Sequence, residues 1–574
     1  MNNLRKGIIL FILINFQLLF SQSKAITIDG VFDDWTSDLT TFVDTSESIN
    51  GIDFLEIQVT NDSEFLFIKI KANSEFDLTD NQILHELGIF IDTDNNTSTG
   101  FDIQQGYGSE LGILFTELFA HYNVTPYSQV GFTNIKLRAA PTVTSDEFEI
   151  AIGRHVIPDG INPLFSSSTI KILLKNDSNF DKIPNVGSVF SYTFDETPVT
   201  PYTPIDINKS DGSHIRILAY NTLLNGLLDL NRVDNFENII KILNPDIVGF
   251  IESASTSESY VKSLFDAWIP LGTTNGWYVE KHGGEVTVSR WEILQRWDGL
   301  TRQFPVLIDL PNSYGTDLLF TNAHLSCCGA DVNRQDQADQ YAAFILDAKS
   351  VGGDITLSEN TPFVYGGDLN LVGFSQQLET LKTGDIQDTV SYGQGAPLDW
   401  DSSDLTEENC IQTDIRMGYT WRSDGQIFPP GKLDFIIFSD YILNTEKSFV
   451  LQTEVMPTNR LSLYGLNQLD TSSASDHFPV VTDFSVNETL ATNQNISLNV
   501  KIYPNPTHKN ITLLFNEPSE YNISLYDSFG RIVLRTKTKL NTITLDTESL
   551  SSGIYYVSIK NAQNSSETFK VLKH

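Results

Sequence analysis

Two hydrophobic periodicities divide the chain. From about residue 26 to 194 apolar and polar positions alternate: Phe65-Leu66-Phe67-Ile68-Lys69-Ile70 and Glu147-Phe148-Glu149-Ile150-Ala151-Ile152 carry the period of half-buried strands. Turn formers such as Asp94-Asn95-Asn96 and Ser98-Thr99-Gly100 separate these runs, and the pattern predicts a β-sandwich. From about 214 to 485 strands alternate with helices. Residues 215–220 predict a strand, 234–243 an amphipathic helix with Ile239, Ile240 and Leu243 on one face, and 246–251 a fully apolar strand. Asp331 is placed to cap a helix in which Ala338, Tyr341, Ala342, Ile345 and Ala348 recur at spacings of three and four. After about residue 499 the period of two returns, with a hairpin turning at Asp527-Ser528-Phe529-Gly530 and a further strand over 553–559. The predicted architecture is an α/β domain between two all-β sandwiches.

Two segments fall outside these patterns. Residues 195–213 begin with Pro198, Pro201 and Pro204, which hold a chain extended, and 486–498 form a second, polar linker. At the N-terminus Arg5 and Lys6 precede an apolar run from Gly7 to Phe20. That run is shorter than the ~20 residues a membrane-spanning helix needs. It predicts a secretory signal over 1–25, cleaved after Gln22 or Ala25. No Cys follows it to carry a lipid, and no later stretch predicts a transmembrane segment.

Composition narrows the function. The 574 residues hold 37 Lys and Arg against 73 Asp and Glu, a net charge of −36. Binding polynucleotide through a broad basic face is therefore disfavoured, because that mode neutralises phosphates with clustered cations. Three cysteines, Cys327, Cys328 and Cys410, exclude a disulfide framework. Asp92, Asp94, Asn96 and Ser98 alternate as oxygen ligands around a cation do, but Thr97 stands where an EF-type loop needs Gly and no Glu closes the loop. A turn with solvated carboxylates is the simpler expectation there.

The candidate chemistry lies in 214–485, where polar residues punctuate the ends of apolar strands. Asn221 ends Leu218-Ala219-Tyr220, and Glu252 ends Ile247-Val248-Gly249-Phe250-Ile251. His324 follows Thr321-Asn322-Ala323, Asp368 and Asn370 follow Tyr365-Gly366-Gly367, and Asp434 sits in Lys432-Leu433-Asp434-Phe435. Asp476 and His477 precede Phe478-Pro479-Val480. Each alone is an ordinary strand end or turn; together they form a set of acceptors, amides and imidazoles. In this order the pieces resemble the endonuclease/exonuclease/phosphatase superfamily, over about 270 residues. The resemblance implies a four-layer α/β sandwich, two mixed β-sheets flanked by helices, with the site at one end.

It also implies roles. Glu252 holds Mg²⁺ (Mn²⁺ or Ca²⁺ as substitutes), with Asn221 beside it and Asp476 supporting the metal site or a second ion. His477 and Asp434 form an acid–base dyad that activates water or accepts its proton. Asp368 orients or deprotonates the water, or protonates the leaving oxygen, Asn370 donates to phosphoryl oxygens, and His324, if protonated, stabilises the developing charge. Arg290 matches a position that contacts phosphate or makes a structural salt bridge. Arg334 and Gln337 brace the loop after His324, and Lys432 replaces a family Arg. In an exported protein Cys410 pairs with Cys327 or Cys328, or the thiols stay free.

The flanking regions resemble other families. Ile26-Thr27-Ile28-Asp29-Gly30-Val31-Phe32-Asp33-Asp34-Trp35 and Ile89-Phe90-Ile91-Asp92-Thr93-Asp94 are similar to DOMON-like, carbohydrate-binding-module-like sandwiches, implying a sugar or surface ligand or a spacer. Tyr503-Pro504-Asn505-Pro506, Ser552-Gly553-Ile554-Tyr555-Tyr556 and the basic end Lys570-Val571-Leu572-Lys573-His574 resemble the C-terminal sorting domain of the type nine secretion system of Bacteroidetes. That implies contact with the secretion machinery and export through the outer membrane, to the medium or the cell surface.

The expected function is a secreted, Mg²⁺-dependent phosphodiester hydrolase. A non-specific endonuclease leads; a sphingomyelinase-like or small-molecule phosphoesterase, or a non-catalytic adhesion protein, are the alternatives. The middle region's 16 Lys and Arg against 37 Asp and Glu count against tight, processive DNA binding.

Overall fold

The alternating segments of the first 194 residues form two antiparallel sheets in the computed structural model. The structure describes residues 23–44, 50–78, 87–350, 352–353, 355–425, 427–487, 500–516, 519–528, 530–560 and 566–574. The expected secretory signal and second linker lie almost wholly outside them. One sheet orders Thr40–Val43, Phe54–Asn61, Phe65–Phe76, Ser145–Gly153 and Arg138–Ala140; the other centres on Thr169–Lys175, Gly88–Asp92 and Leu111–Leu114. Alternate residues such as Ile57, Ile68 and Ile70 meet Ile89, Ile113 and Ile172 between the sheets.

The middle region contains two mixed six-stranded sheets. The first orders Tyr278–His282, Glu285–Ser289, Ile247–Ile251, Ile215–Asn221, Val480–Val486 and Leu443–Val450. The second orders Ile293–Arg296, Gln303–Ile308, Leu318–His324, Phe363–Asp368, Asp434–Phe438 and Thr406–Glu407. One side of the first sheet, through Leu218, Tyr220, Val248 and Phe250, packs on helices Val233–Leu243 and Glu258–Trp268. One side of the second, through Leu319, Ala323, Phe363 and Tyr365, packs on helix Asp331–Lys349. The other sides meet. Asn322 Nδ2 donates to Phe250 O at 2.9 Å, and the rings of Phe438 and Phe484 lie 4.8 Å apart. A Cβ on Gly249 would stand 2.7 Å from Asn322 Oδ1, so the close approach requires glycine.

One local expectation is corrected. Asp331 is the first residue of its helix rather than the cap, and its carboxylate binds Arg334 and Gln377. Residues 195–213 are irregular and packed: Ile207 is fully buried in the core under helix Val233–Leu243, and Tyr202 Oη donates to Gln412 O at 2.8 Å. The N-terminal sandwich is hydrogen-bonded to the middle region. Thr144 N donates to Gly373 O (2.9 Å), Thr142 Oγ1 to Lys432 O (3.1 Å), and Ser375 N to Thr144 Oγ1 (3.0 Å).

The C-terminal residues form a separate unit. A three-stranded and a four-stranded sheet enclose Ile511, Leu513, Ile523, Val557 and Ile559. Among the described residues no helix is long and apolar enough to cross a membrane.

Candidate active site

Strand periodicity and register together gather the predicted residues. Because Leu218 and Tyr220 face the helices, Ala219 and Asn221 face the opposite sheet. The same alternation turns Asn322 and His324, Gly366 and Asp368, and Asp434 and Ile436 inward. Asn221 pairs with Ile251 in a parallel ladder, which sets Glu252 just beyond. His324 pairs with Asp368, again in parallel, and Asp368 pairs antiparallel with Asp434. The backbone is specialised here. Gly367 has φ +146°, and a Cβ on it would lie 1.9 Å from Ala323 O. Glu252 (φ 57°) and Asn370 (φ 49°) occupy the left-handed region, a costly state for such residues that often marks functional positions.

Asn221 is the hub. Its Nδ2 lies 3.1 Å from Glu252 Oε1, 3.1 Å from Asp368 Oδ2 and 3.3 Å from His477 Nε2. The second Glu252 oxygen accepts from Leu224 N at 2.8 Å. His477 Nδ1 is 2.8 Å from Asp434 Oδ2, and its Nε2 is 3.6 Å from Asp368 Oδ2. His324 Nε2 lies 3.7 Å from Asp368 Oδ2 and 4.0 Å from Glu252 Oε1. Asn370 N donates to Asp368 Oδ1 at 3.0 Å, while its amide donates to Leu325 O at 3.2 Å.

Burial and charge set the protonation states. Burial pulls the His477 imidazole down, but the charges of Asp434 and Asp368 and the Asp434 hydrogen bond outweigh it and raise its pKa to about 10. It is an imidazolium at neutral pH. Burial, with Asp434's charge adding and His477's opposing, lifts Asp368 to about 7. Burial and then the charge of Arg302 depress His324 to about 4, against the pull of Glu252. Burial thus favours the neutral form of the His324 imidazole. Burial would raise Glu252, but the Leu224 and Asn221 hydrogen bonds and the two histidines bring it below the usual range.

Several supports carried no sequence signal. Thr420 Oγ1 donates to Asp434 Oδ2 (2.8 Å), and Trp421 Nε1 to Asp476 Oδ2 (3.0 Å). Ser475 Oγ donates to Asn221 O at 2.8 Å and accepts from His477 N. Thr420 and Trp421 fall in irregular chain without periodicity. Arg334, fully buried, donates to Ser326 O and Cys328 O, and Gln337 Oε1 accepts from Ser326 N, so both hold the segment after His324.

Arg290 is not in the cluster. Ser289 pairs with Ile247, the first residue of the strand that ends before Glu252, so Arg290 sits at the opposite end of the sheet. There its Nε lies 2.8 Å from Asp246 Oδ1 and its guanidinium covers Trp277. Lys432 is taken by Glu407 at 2.6 Å. Cys410 is buried with its sulfur 3.9 Å from Thr482 Oγ1 and unbridged, while Cys327 and Cys328 are exposed neighbours. A cavity of about 430 Å³, lined by Arg138, Pro141, Tyr419 and Lys432 among others, shares no residue with the cluster.

Comparison with known proteins adds the following. Residues 501–574 match the family model of the secretion system C-terminal sorting domain. The chain thus carries the type nine export signal, which directs it to the cell surface or the extracellular space. A search of curated proteins returned no match. Among solved structures, an endonuclease/exonuclease/phosphatase from Beutenbergia cavernae is similar at 14% identity and a TM-score of 0.28, over 62% of this chain and 100% of its own. Sphingomyelinase C from Streptomyces griseocarneus is similar at 15% identity and a TM-score of 0.28, over 47% of this chain and 99% of its own. A beta toxin from Staphylococcus aureus has 14% identity and a TM-score of 0.28, over 47% of this chain and 99% of its own.

Proposed function

We propose that the middle domain, a four-layer α/β sandwich of the endonuclease/exonuclease/phosphatase type, is a divalent-metal-dependent phosphodiester hydrolase acting outside the cell, with nucleic acid as its leading substrate. The observation that carries this is the hydrogen-bonded chain from Asp434 through His477 towards Asp368, joined by Asn221 to Glu252.

The donor set suits a hard cation. Glu252 is a carboxylate of lowered pKa whose side chain is 23% exposed, so it is ionised and open to the cleft. Asp476 Oδ1 is buried without a hydrogen-bond partner. Mg²⁺, which takes one or two carboxylates and keeps its waters, would be held by Glu252 with Asn221 adjacent and Asp476 in support. When bound it supplies charge neutralisation at the phosphate.

The chain's own residues do the rest. Asp368, with a pKa near operating pH, accepts the proton of the attacking water. His477, cationic and fixed at Nδ1 by Asp434, presents Nε2–H to a phosphoryl oxygen. Neutral His324 contributes hydrogen bonding rather than charge. Asn370 holds Asp368 through its backbone N–H and the Leu325 carbonyl through its amide.

One observation favours a second reading. Leu224, whose N–H binds Glu252, is 76% exposed, and Leu228 and Leu230 nearby in sequence are 41% and 84% exposed. Apolar residues beside the cleft suit a phospholipid, as a sphingomyelinase-like enzyme would need. The purified chain should be assayed on plasmid DNA, RNA, sphingomyelin and a chromogenic bis-phosphodiester, with Mg²⁺ or EDTA. Cleavage of nucleic acid and the chromogen, abolished by EDTA, is expected. Hydrolysis of lipid alone would replace the nuclease reading, and no hydrolysis of any substrate would remove the enzymatic one.

A further inference from the structure

The N-terminal sandwich contains a second cluster of hard ligands, remote in sequence from the cleft. Asp92, Asp94 and Glu110 each offer a carboxylate oxygen, and these oxygens lie within 4.8 Å of one another. Among the described residues no other His, Cys, Asp or Glu group meets that condition. The sequence loop from Asp92 to Ser98 lacked a closing glutamate; the fold brings one from the next strand. Ile91 pairs with Leu111 in the ladder, which puts Glu110 across from Asp92.

Asp94 is partly exposed, as the turn expectation had it, but the other two carboxylates are not solvated. Asp92 is fully buried and Glu110 is 3% exposed. Glu110 Oε2 accepts from Thr93 N at 2.8 Å and from Thr93 Oγ1 at 3.2 Å, but its Oε1 is buried and has no hydrogen-bond partner. An ionised oxygen left so is expensive unless a cation meets it. Asp92 Oδ2 binds Lys171 Nζ at 2.8 Å and Gly108 N at 3.3 Å, and its Oδ1 accepts from Asn96 N at 3.1 Å. Asp94 accepts from Asn96 N at 2.8 Å and Thr99 Oγ1 at 2.9 Å. Three carboxylates against the one ammonium bonded to them leave a formal charge of −2, which a single divalent cation cancels.

We propose that Asp92, Asp94 and Glu110 form a calcium site that ties the loop 93–109 to the sandwich. Calcium fits better than magnesium, because several carboxylates on an irregular loop supply the numerous, loosely arranged oxygens Ca²⁺ takes, whereas Mg²⁺ demands near-ideal octahedral geometry and keeps its waters. The site is independent of the proposed catalytic metal and stands if that assignment fails.

The test uses the full exported chain in a Glu252→Gln background, which disables the cleft as a calcium ligand. After stripping with EDTA, calcium binding is measured by equilibrium dialysis. One equivalent should bind, at least about tenfold more weakly in Asp94→Ala and in Glu110→Gln. Limited proteolysis of the wild-type chain provides a readout that does not depend on variant folding: calcium should slow cleavage within 93–109 at least about tenfold, and magnesium at the same concentration should not. The absence of a bound equivalent, equal binding in both loop variants, or cleavage of this loop at the same rate with and without calcium would each overturn the proposal.

Discussion

Replacing Asp434 by Asn removes one charge while preserving shape, and the structure sets the size of the effect. Asp434 Oδ2 is 2.8 Å from His477 Nδ1 and accepts from Thr420 Oγ1 at 2.8 Å; the pair is almost fully buried. His477 rises from 6.5 to about 10, with Asp434 the largest of three carboxylate contributions, ahead of Asp368 and Asp476. A shift of that size corresponds to roughly 5 kcal/mol. If Asp434 supplies about half, its loss costs the charged imidazole ~2–3 kcal/mol, or ~10²-fold in rate. Loss of the charge-assisted bond that orients the ring adds to this, within the ~10²–10⁴-fold range of acid–base groups. The sign of the pH effect follows. Without the carboxylate the imidazolium deprotonates at lower pH, so the alkaline fall in kcat/KM should begin about two units earlier. The assay is hydrolysis of a chromogenic bis-phosphodiester with Mg²⁺ from about pH 5 to 10, with circular dichroism to confirm folding. A folded variant within about threefold of wild type, with the same alkaline limb, would refute the assignment of His477 as a cation held by Asp434.

Other substitutions probe the fold and the corrected positions. Arg290→Ala should leave kcat/KM within about twofold while lowering stability by roughly 1 kcal/mol in chemical denaturation, because its guanidinium serves Asp246 and Trp277; a large fall in kcat/KM would return it to the phosphate. Gly249→Ala should destabilise by roughly 1–3 kcal/mol, since its Cβ would collide with Asn322 and Phe320 between the sheets; unchanged denaturation would show the sheets are not so tightly apposed. Buried Glu149, held by Asp29 N, Gly30 N and Trp35 Nε1, is lifted by burial from 4.5 to about 8. Its raised pKa gives stability that is full below 4.5 and is lost as pH rises through about 8, so Tm should fall over that window in wild type and more weakly in Glu149→Gln; identical pH profiles would contradict this.

How much of this was legible in the sequence depended on whether information was local. The period of two in Leu218 to Asn221 and Phe363 to Asp368 marks both the strand and the face of its last residue. Arg290 exposes the limit. A strand followed by Arg and a strand followed by Glu look alike, yet Glu285–Ser289 runs antiparallel to Ile247–Ile251, so their C-terminal ends lie at opposite edges of the sheet. Pairing direction is a long-range property that a short apolar run does not encode. Thr420 and Trp421 escaped for a related reason: they reach Asp434 and Asp476 from a stretch with no periodicity. Glu110 was invisible as a partner of Asp92 because they meet across a loop closed only by strand pairing.

The central claim is that Glu252 and His477 act within one catalytic centre. Comparing kcat/KM on a bis-phosphodiester for wild type, Glu252→Gln, His477→Ala and the double variant tests it directly. Each single substitution should cost at least ~10²-fold, and the double variant much less than the product of the two losses, as residues acting as a unit behave. Single variants of near-normal activity, or losses that simply multiply, would contradict the account.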